Sequence, residues 1–319
     1  MKVYGIIELG DTMIKRQDFM FPSEQDGLPL GVTLMIPDQK IKGIVQICHG
    51  MCEHRKRYLD FMYFLVKQGY VVIAHDHRGH GESVRSRKDL GYFYDESATF
   101  LVEDVYQISC YIKDKFKDRK LILFGHSMGS LIVRNYLARH ANAIDGLIVC
   151  GSPSRNSFVN MGILLVRVMK CFLSDHYRSR FLNHLALGSN RRYQKEHDSY
   201  AWLTRDERVR KIHREDKDCQ FIFTLEGFQN LFLLLKRTYQ KDYYLRENLE
   251  IPILFLSGSD DKVMKSEKKW HQAQEFLKSL GYQNISSHLY GGMRHEILNE
   301  IGHEKVYQDV LTFCNENSH

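Results

Sequence analysis

Through the first half of the chain, short β-branched apolar runs alternate with longer amphipathic stretches. That rhythm predicts βαβ units and a mostly parallel central sheet flanked by helices. Strands are expected at 30–36, 43–48, 71–75, 121–124 and 147–150, and much later at 253–256 and 285–289. Between the early strands, helices are expected over 57–68, 97–116 and 127–139; in the second of these, Leu101, Val105, Ile108 and Ile112 recur at helical spacing. The alternation stops after Ser152-Pro-Ser154 and resumes at Ile251-Pro252. The chain therefore divides into a core, 1–152, an inserted helical cap, 153–250, and the remainder of the core, 251–319.

The insertion carries two apolar stripes at helical spacing. Phe158, Met161, Leu165, Val168 and Phe172 form one, with Asn160 and Arg167 opposite, and Phe228, Leu231, Phe232, Leu235 and Tyr239 form the other. Such stripes either fasten helices to the body or line a pocket for an acyl chain, and the sequence leaves both open.

With 319 residues and 43% hydrophobic composition the chain can bury a large core. The net charge of +6 comes from Lys and Arg scattered among acids, as in Lys113-Asp-Lys-Phe-Lys-Asp-Arg-Lys120, which argues for a solvated surface and against a nucleic-acid partner. Seven widely spaced cysteines read as free thiols, and Cys48 and Cys52 lack the company needed for structural zinc. The amino terminus reaches Glu8 before any apolar run long enough for a signal peptide, so a cytoplasmic location is expected. No stretch is apolar enough for a membrane span; Arg167 and Lys170 interrupt the most hydrophobic one.

The strongest chemical signal is Leu121-Ile-Leu-Phe-Gly-His-Ser-Met-Gly129, a strand running into Gly-X-Ser-X-Gly and then a helix. This is a nucleophile elbow, in which Gly125 and Gly129 let the backbone pack closely while Ser127 projects. A serine hydroxyl is nearly inert at neutral pH, so it needs a base, and the base needs an orienting carboxylate. In the α/β-hydrolase fold these partners follow in the order acid, then histidine. Ile251-Pro-Ile-Leu-Phe-Leu-Ser-Gly-Ser-Asp-Asp261 ends a strand in a Gly-X-X-Asp turn, which favours Asp261 over Asp260 as the acid. Tyr290-Gly-Gly-Met-Arg-His-Glu296 places His295 after the last strand, ahead of His271, His288 and His303 as the base. An oxyanion hole is expected from the Met128 amide and from Met51, with Gly50 giving the backbone freedom to turn that second amide inward.

His49-Gly-Met-Cys-Glu-His-Arg-Lys-Arg-Tyr58 fits H-G-x-x-E-H-x-x-R-Y, and Asp76-His-Arg-Gly-His-Gly-Glu-Ser83 fits D-x-R-G-H-G-x-S. With the elbow, these motifs resemble the monoacylglycerol lipase and lysophospholipase group of α/β-hydrolases, which includes bacterial members labelled serine aminopeptidase-like. Trp202-Leu-Thr-Arg-Asp206 and Cys219-Gln-Phe221 resemble the group's cap region. The resemblance implies Ser127 as nucleophile, Asp261 as acid, His295 as base and the Met51 and Met128 amides as oxyanion donors. It also implies supporting roles for His49 and Gly50, and an ion pair between Glu53 and Arg57 that holds the oxyanion loop. Met51-Cys52 is bulkier than the group's usual pair. The expected reaction is hydrolysis of a carboxylic ester, with a monoacyl lipid as substrate and no cofactor or metal. A transient membrane contact through the cap is expected, and oligomeric state is left open. Peptide, thioester or carbon–carbon hydrolysis on the same residues, or a binding protein that kept only the fold, are the alternatives.

Overall fold

The computed structural model describes residues 3–9, 12–188 and 191–318. Nine strands form one sheet: β1 (Val3–Leu9), β2 (Thr12–Pro22), β3 (Pro29–Pro37), β4 (Gly43–Cys48), β5 (Tyr70–His75), β6 (Leu121–His126), β7 (Gly146–Cys150), β8 (Ile253–Gly258) and β9 (Ile285–Tyr290). Their order is β1-β2-β3-β5-β4-β6-β7-β8-β9. From β5 to β9 all pairings are parallel, whereas β1, β2 and β3 pair antiparallel and extend one edge. The five strands β4 to β8 are buried at every position, as strands covered on both faces must be, which is why they read as continuous apolar runs.

Helices α1 (Leu59–Lys67) and α9 (His303–Glu316) cover one face, packing Phe61, Leu65 and Val310 against the sheet. Helices α2 (Phe100–Lys115), α3 (Met128–His140) and, later in the chain, α8 (Glu267–Lys278) cover the other with Leu101, Leu131 and Trp270. The predicted helix over 97–116 starts later than its periodicity suggests. Asp95 is the reason: its carboxylate accepts the Ser97 and Phe100 amides at 2.8 and 2.9 Å, an acidic cap that starts the helix at Phe100.

Between β7 and β8 the chain forms α4 (Val159–Lys170), α5 (Arg180–Leu187), α6 (Glu207–Glu215) and α7 (Leu225–Thr238). Helix α7 packs on α3 and carries α4 on its other side. The two apolar stripes have different fates. On α7, Phe228, Phe232 and Tyr239 are buried, while around α4 the face carrying Gly162, Ile163 and Val166 is buried and Phe158, Met161, Val168 and Phe172 stand exposed. This segment is also tied to the rest of the molecule, since the Glu296 amide donates to Leu203 O at 2.7 Å and the Arg205 amide to Glu300 Oε1 at 2.9 Å. No described helix is long and apolar enough to cross a membrane.

Candidate active site

Ser127 occupies the single residue between β6 and α3, with φ 53° and ψ −116°. An L-residue is strained there, and the surrounding packing enforces it. A Cβ on Gly129 would collide with the Cys48 carbonyl, and one on Gly125 would lie 2.5 Å from the Gly129 carbonyl. Only glycines let α3 start this close to β4 and β6.

His295, in the loop after β9, sets Nε2 2.8 Å from Ser127 Oγ and Nδ1 2.9 Å from Asp261 Oδ2. Both His295 and Asp261 are buried. Asp261 Oδ1 also accepts the Val263 amide at 2.7 Å, which fixes the carboxylate plane. Its neighbour Asp260 turns outward and pairs with Arg192 at 2.6 Å. The structure thus brings Ser127, His295 and Asp261 into one hydrogen-bonded line and leaves Asp260 out of it. In such a line a carboxylate holds the imidazole so that Nε2 can take the hydroxyl proton as the oxygen attacks an electrophile.

Met51, in the turn after β4, and Met128, the first residue of α3, border the same cavity as Ser127. Gly50 is needed here for space rather than for a left-handed conformation, since its φ is not positive and a Cβ would sit 2.6 Å from Glu53 Oε1. Its amide donates to that oxygen. His49 is buried and neutral: Nε2 accepts the His77 amide at 2.9 Å, so the proton resides on Nδ1 and is donated to Gly50 O at 2.8 Å. Burial, reinforced by the nearby His80, keeps its pKa well below the ordinary histidine value. The motif Asp76–Ser83 is a brace for this loop. Asp76 accepts the Arg55 and Glu82 amides at 2.8 Å each and pairs with the Arg55 guanidinium.

Arg57 does pair with Glu53, at 2.9 Å, but a second carboxylate engages it more fully: Glu296 accepts two guanidinium bonds at 2.7 Å each. Glu53 in turn accepts from Tyr58 Oη at 2.8 Å and lies 3.2 Å from His126 Nδ1, whose Nε2 faces His295 O at 3.2 Å. Both ring nitrogens of His126 thus face acceptors. Burial alone would lower His126, yet Glu53 raises it above the ordinary value. Burial would likewise raise Glu53, but the His126 hydrogen bond and Arg57 hold it well below the usual carboxylate range. His126, Tyr58 and Glu296 all stand inside the sequence motifs around residues 49–58, 121–129 and 290–296, but nothing in their spacing signals that they meet.

Arg57→Met should expose how much depends on this clamp. It leaves two buried carboxylates without their cation, so a loss of about 3–5 kcal/mol is expected in urea unfolding at neutral pH. The pH dependence gives a second check. Glu53 and Glu296 are both depressed from an ordinary value of 4.5, so their contribution is present above that pH and lost as pH falls through the lower folded values. Stability of the Arg57→Met variant should therefore fall less on acidification than that of the parent.

His54, Asp216 and Cys219 place one ligand atom each within 4.8 Å of one another, the one such group of three or more among the described residues. A bond of 2.7 Å between His54 Nε2 and Asp216 Oδ2 already joins two of them. Cys48 and Cys52 are not part of the group; the seven cysteines are free thiols.

Over Ser127 lies a cavity of about 1860 Å³, to whose wall α4, α5 and α7 contribute. Phe158, Met161, Leu165, Leu231, Phe232 and Leu235 make much of its wall apolar. Trp202 packs beside His295, with ring centroids 5.1 Å apart and the planes tilted by 34°.

Fold and site together define an α/β-hydrolase of the serine-hydrolase type. More narrowly, the chain belongs to the serine aminopeptidase S33 family, whose model matches residues 39–302. It is 24% identical over 290 residues to the monoacylglycerol lipase of Mycolicibacterium smegmatis, covering 90% of this chain and 93% of that protein. It is 26% identical to a probable lysophospholipase L2 of Haemophilus influenzae, over 88% of this chain and 85% of the other. Among solved structures, a thermostable carboxyl esterase from Bacillus coagulans in complex with glycerol superposes with a TM-score of 0.87 at 24% identity, covering 95% and 98% of the two chains.

Proposed function

We propose that this protein hydrolyses carboxylic esters of monoacyl lipids through an acyl-enzyme on Ser127. The observation that carries the reading is the line Ser127 Oγ, His295 Nε2, Asp261 Oδ2, at 2.8 and 2.9 Å, opening onto a large apolar cavity. Ser127 Oγ attacks the ester carbonyl while its proton passes to His295 Nε2. The amides of Met51 and Met128 receive the developing oxyanion. His295 then gives the proton to the departing alcohol oxygen, and a water molecule, deprotonated by the same nitrogen, releases the fatty acid and restores the serine.

An aminopeptidase reading, which the family's label suggests, requires a carboxylate to hold a substrate ammonium. The carboxylic acids lining the cavity are Glu53 and Glu296, and both are engaged by Arg57. The segment 153–250 then serves as the cap that shapes the acyl pocket. Its Phe172, 84% exposed and outside the cavity lining, suits transient contact with a lipid surface.

Chain length tests the pocket. Each buried methylene contributes about 0.8 kcal/mol, so extending p-nitrophenyl esters from butanoate to octanoate should raise kcat/KM by up to about two powers of ten, measured below aggregation. Phe232→Asp should reduce octanoate turnover more than acetate turnover. A flat profile with chain length, or equal losses on both esters together with a lower Tm, would remove the acyl-pocket reading.

A further inference from the structure

The cavity over Ser127 is unbalanced in charge. Its lining includes Arg87, Lys88, Arg178, Arg180, Lys262 and Lys265, six cations against two carboxylic acids. The chain as a whole carries 45 Lys and Arg against 39 Asp and Glu, so the excess is concentrated here. Both acids are already committed to Arg57. Arg87 is paired with Asp218, whereas Arg178 donates to the carbonyls of Ile222 and Lys88, neutral acceptors that leave its charge intact. Among the described residues no carboxylate lies within ion-pair distance of Lys88, Arg180 or Lys265.

Lys262 stands close to the Ser127–His295–Asp261 line. It follows Asp261 directly, and its ammonium lies 4.1 Å from the centroid of the Trp202 ring, the same ring whose centroid is 5.1 Å from that of His295. The ammonium and the imidazole that serves the leaving oxygen therefore share one indole as neighbour. This cation–π contact holds the Lys262 head at the cavity wall, beside the ring that neighbours His295.

We propose that Lys262 is a specificity-determining residue that selects esters whose leaving alcohol bears a net negative phosphate, so that a monoacyl glycerophosphate is preferred over a neutral monoacylglycerol. The inference rests on the ester-hydrolase reading of Ser127 and adds the headgroup to it. Burial brings Lys262 down to about 8 against the opposing pull of Asp261, and an anionic headgroup would offset that desolvation. The rim cations Lys88, Arg180 and Lys265 would draw such a substrate in and repel an amino-terminal ammonium.

The test compares monodecanoylglycerol, monodecanoyl glycerophosphate and monodecanoyl glycerophosphocholine on the full chain, at neutral pH and low salt and below micelle formation. The glycerophosphate should exceed the neutral ester in kcat/KM by about tenfold, expressed in KM rather than kcat, and the ratio should shrink as salt is added. The glycerophosphocholine, whose phosphate is balanced by its own cation, should fall between them. In Lys262→Met, which retains a side chain of similar reach over Trp202, the ratio should approach one, and Lys262→Arg should restore it. A glycerophosphate no better than a neutral ester that is itself turned over would overturn the inference, as would a ratio that survives Lys262→Met. A chain that cleaves none of the three and takes no fluorophosphonate would overturn the hydrolase reading beneath it.

Discussion

Ser127→Ala is expected to reduce ester turnover by about six powers of ten and to abolish covalent labelling by a fluorophosphonate. The magnitude follows serine proteases, in which loss of the nucleophile costs about as much as loss of the whole hydrogen-bonded set, because the base has nothing left to activate. The fold should survive, since Ser127 Oγ makes its contact to His295 and the backbone conformation at residue 127 is enforced by Gly125 and Gly129 rather than by the hydroxyl. Unfolding in urea should confirm comparable stability. Labelling that persists in the variant would transfer the reaction to another serine.

The second large effect concerns two adjacent aspartates. Asp261→Asn retains shape but replaces an acceptor at Oδ2 with a group that can donate, so His295 is held in the wrong tautomer and kcat should fall by about four powers of ten, as in the serine proteases. Asp260→Asn removes one end of an exposed ion pair with Arg192, worth at most about 1 kcal/mol, and turnover should change little. Steady-state rates on one soluble ester separate the two. The opposite ranking would assign the acid to Asp260.

Much of this molecule can be read from its sequence because its inner strands are covered on both faces and therefore spell out unbroken apolar runs. The edge is less legible. In β2, Lys15, Arg16 and Asp18 interrupt the apolar pattern, and Arg16 pairs with Asp18 at 2.8 Å along the same strand, so neither charge nor periodicity marks it as sheet. Ser127, Asp261 and His295 could be named as a set because chain order and strand ends select them from many serines, acids and histidines. His126, Tyr58 and Glu296 could not, since their parts depend on contacts between residues up to 239 apart. The α4 stripe stays ambiguous for a related reason: helical spacing shows that Phe158, Met161 and Val168 share a face, but not that this face borders a cavity rather than packed protein. In this case the opposite face, with Ile163 and Val166, is the one that packs.

Arg57 joins Glu53, four residues before it, to Glu296, which lies beyond the whole inserted segment. This has a consequence for biosynthesis. A chain emerging from the ribosome presents the elbow serine and the loop around Glu53 well before Asp261, His295 and Glu296 exist. Until those last residues arrive, Arg57 has half of its carboxylate partners and Ser127 has no imidazole beside it. The arginine that secures the loop thus also links its final setting to the arrival of the segment that carries Glu296 and His295.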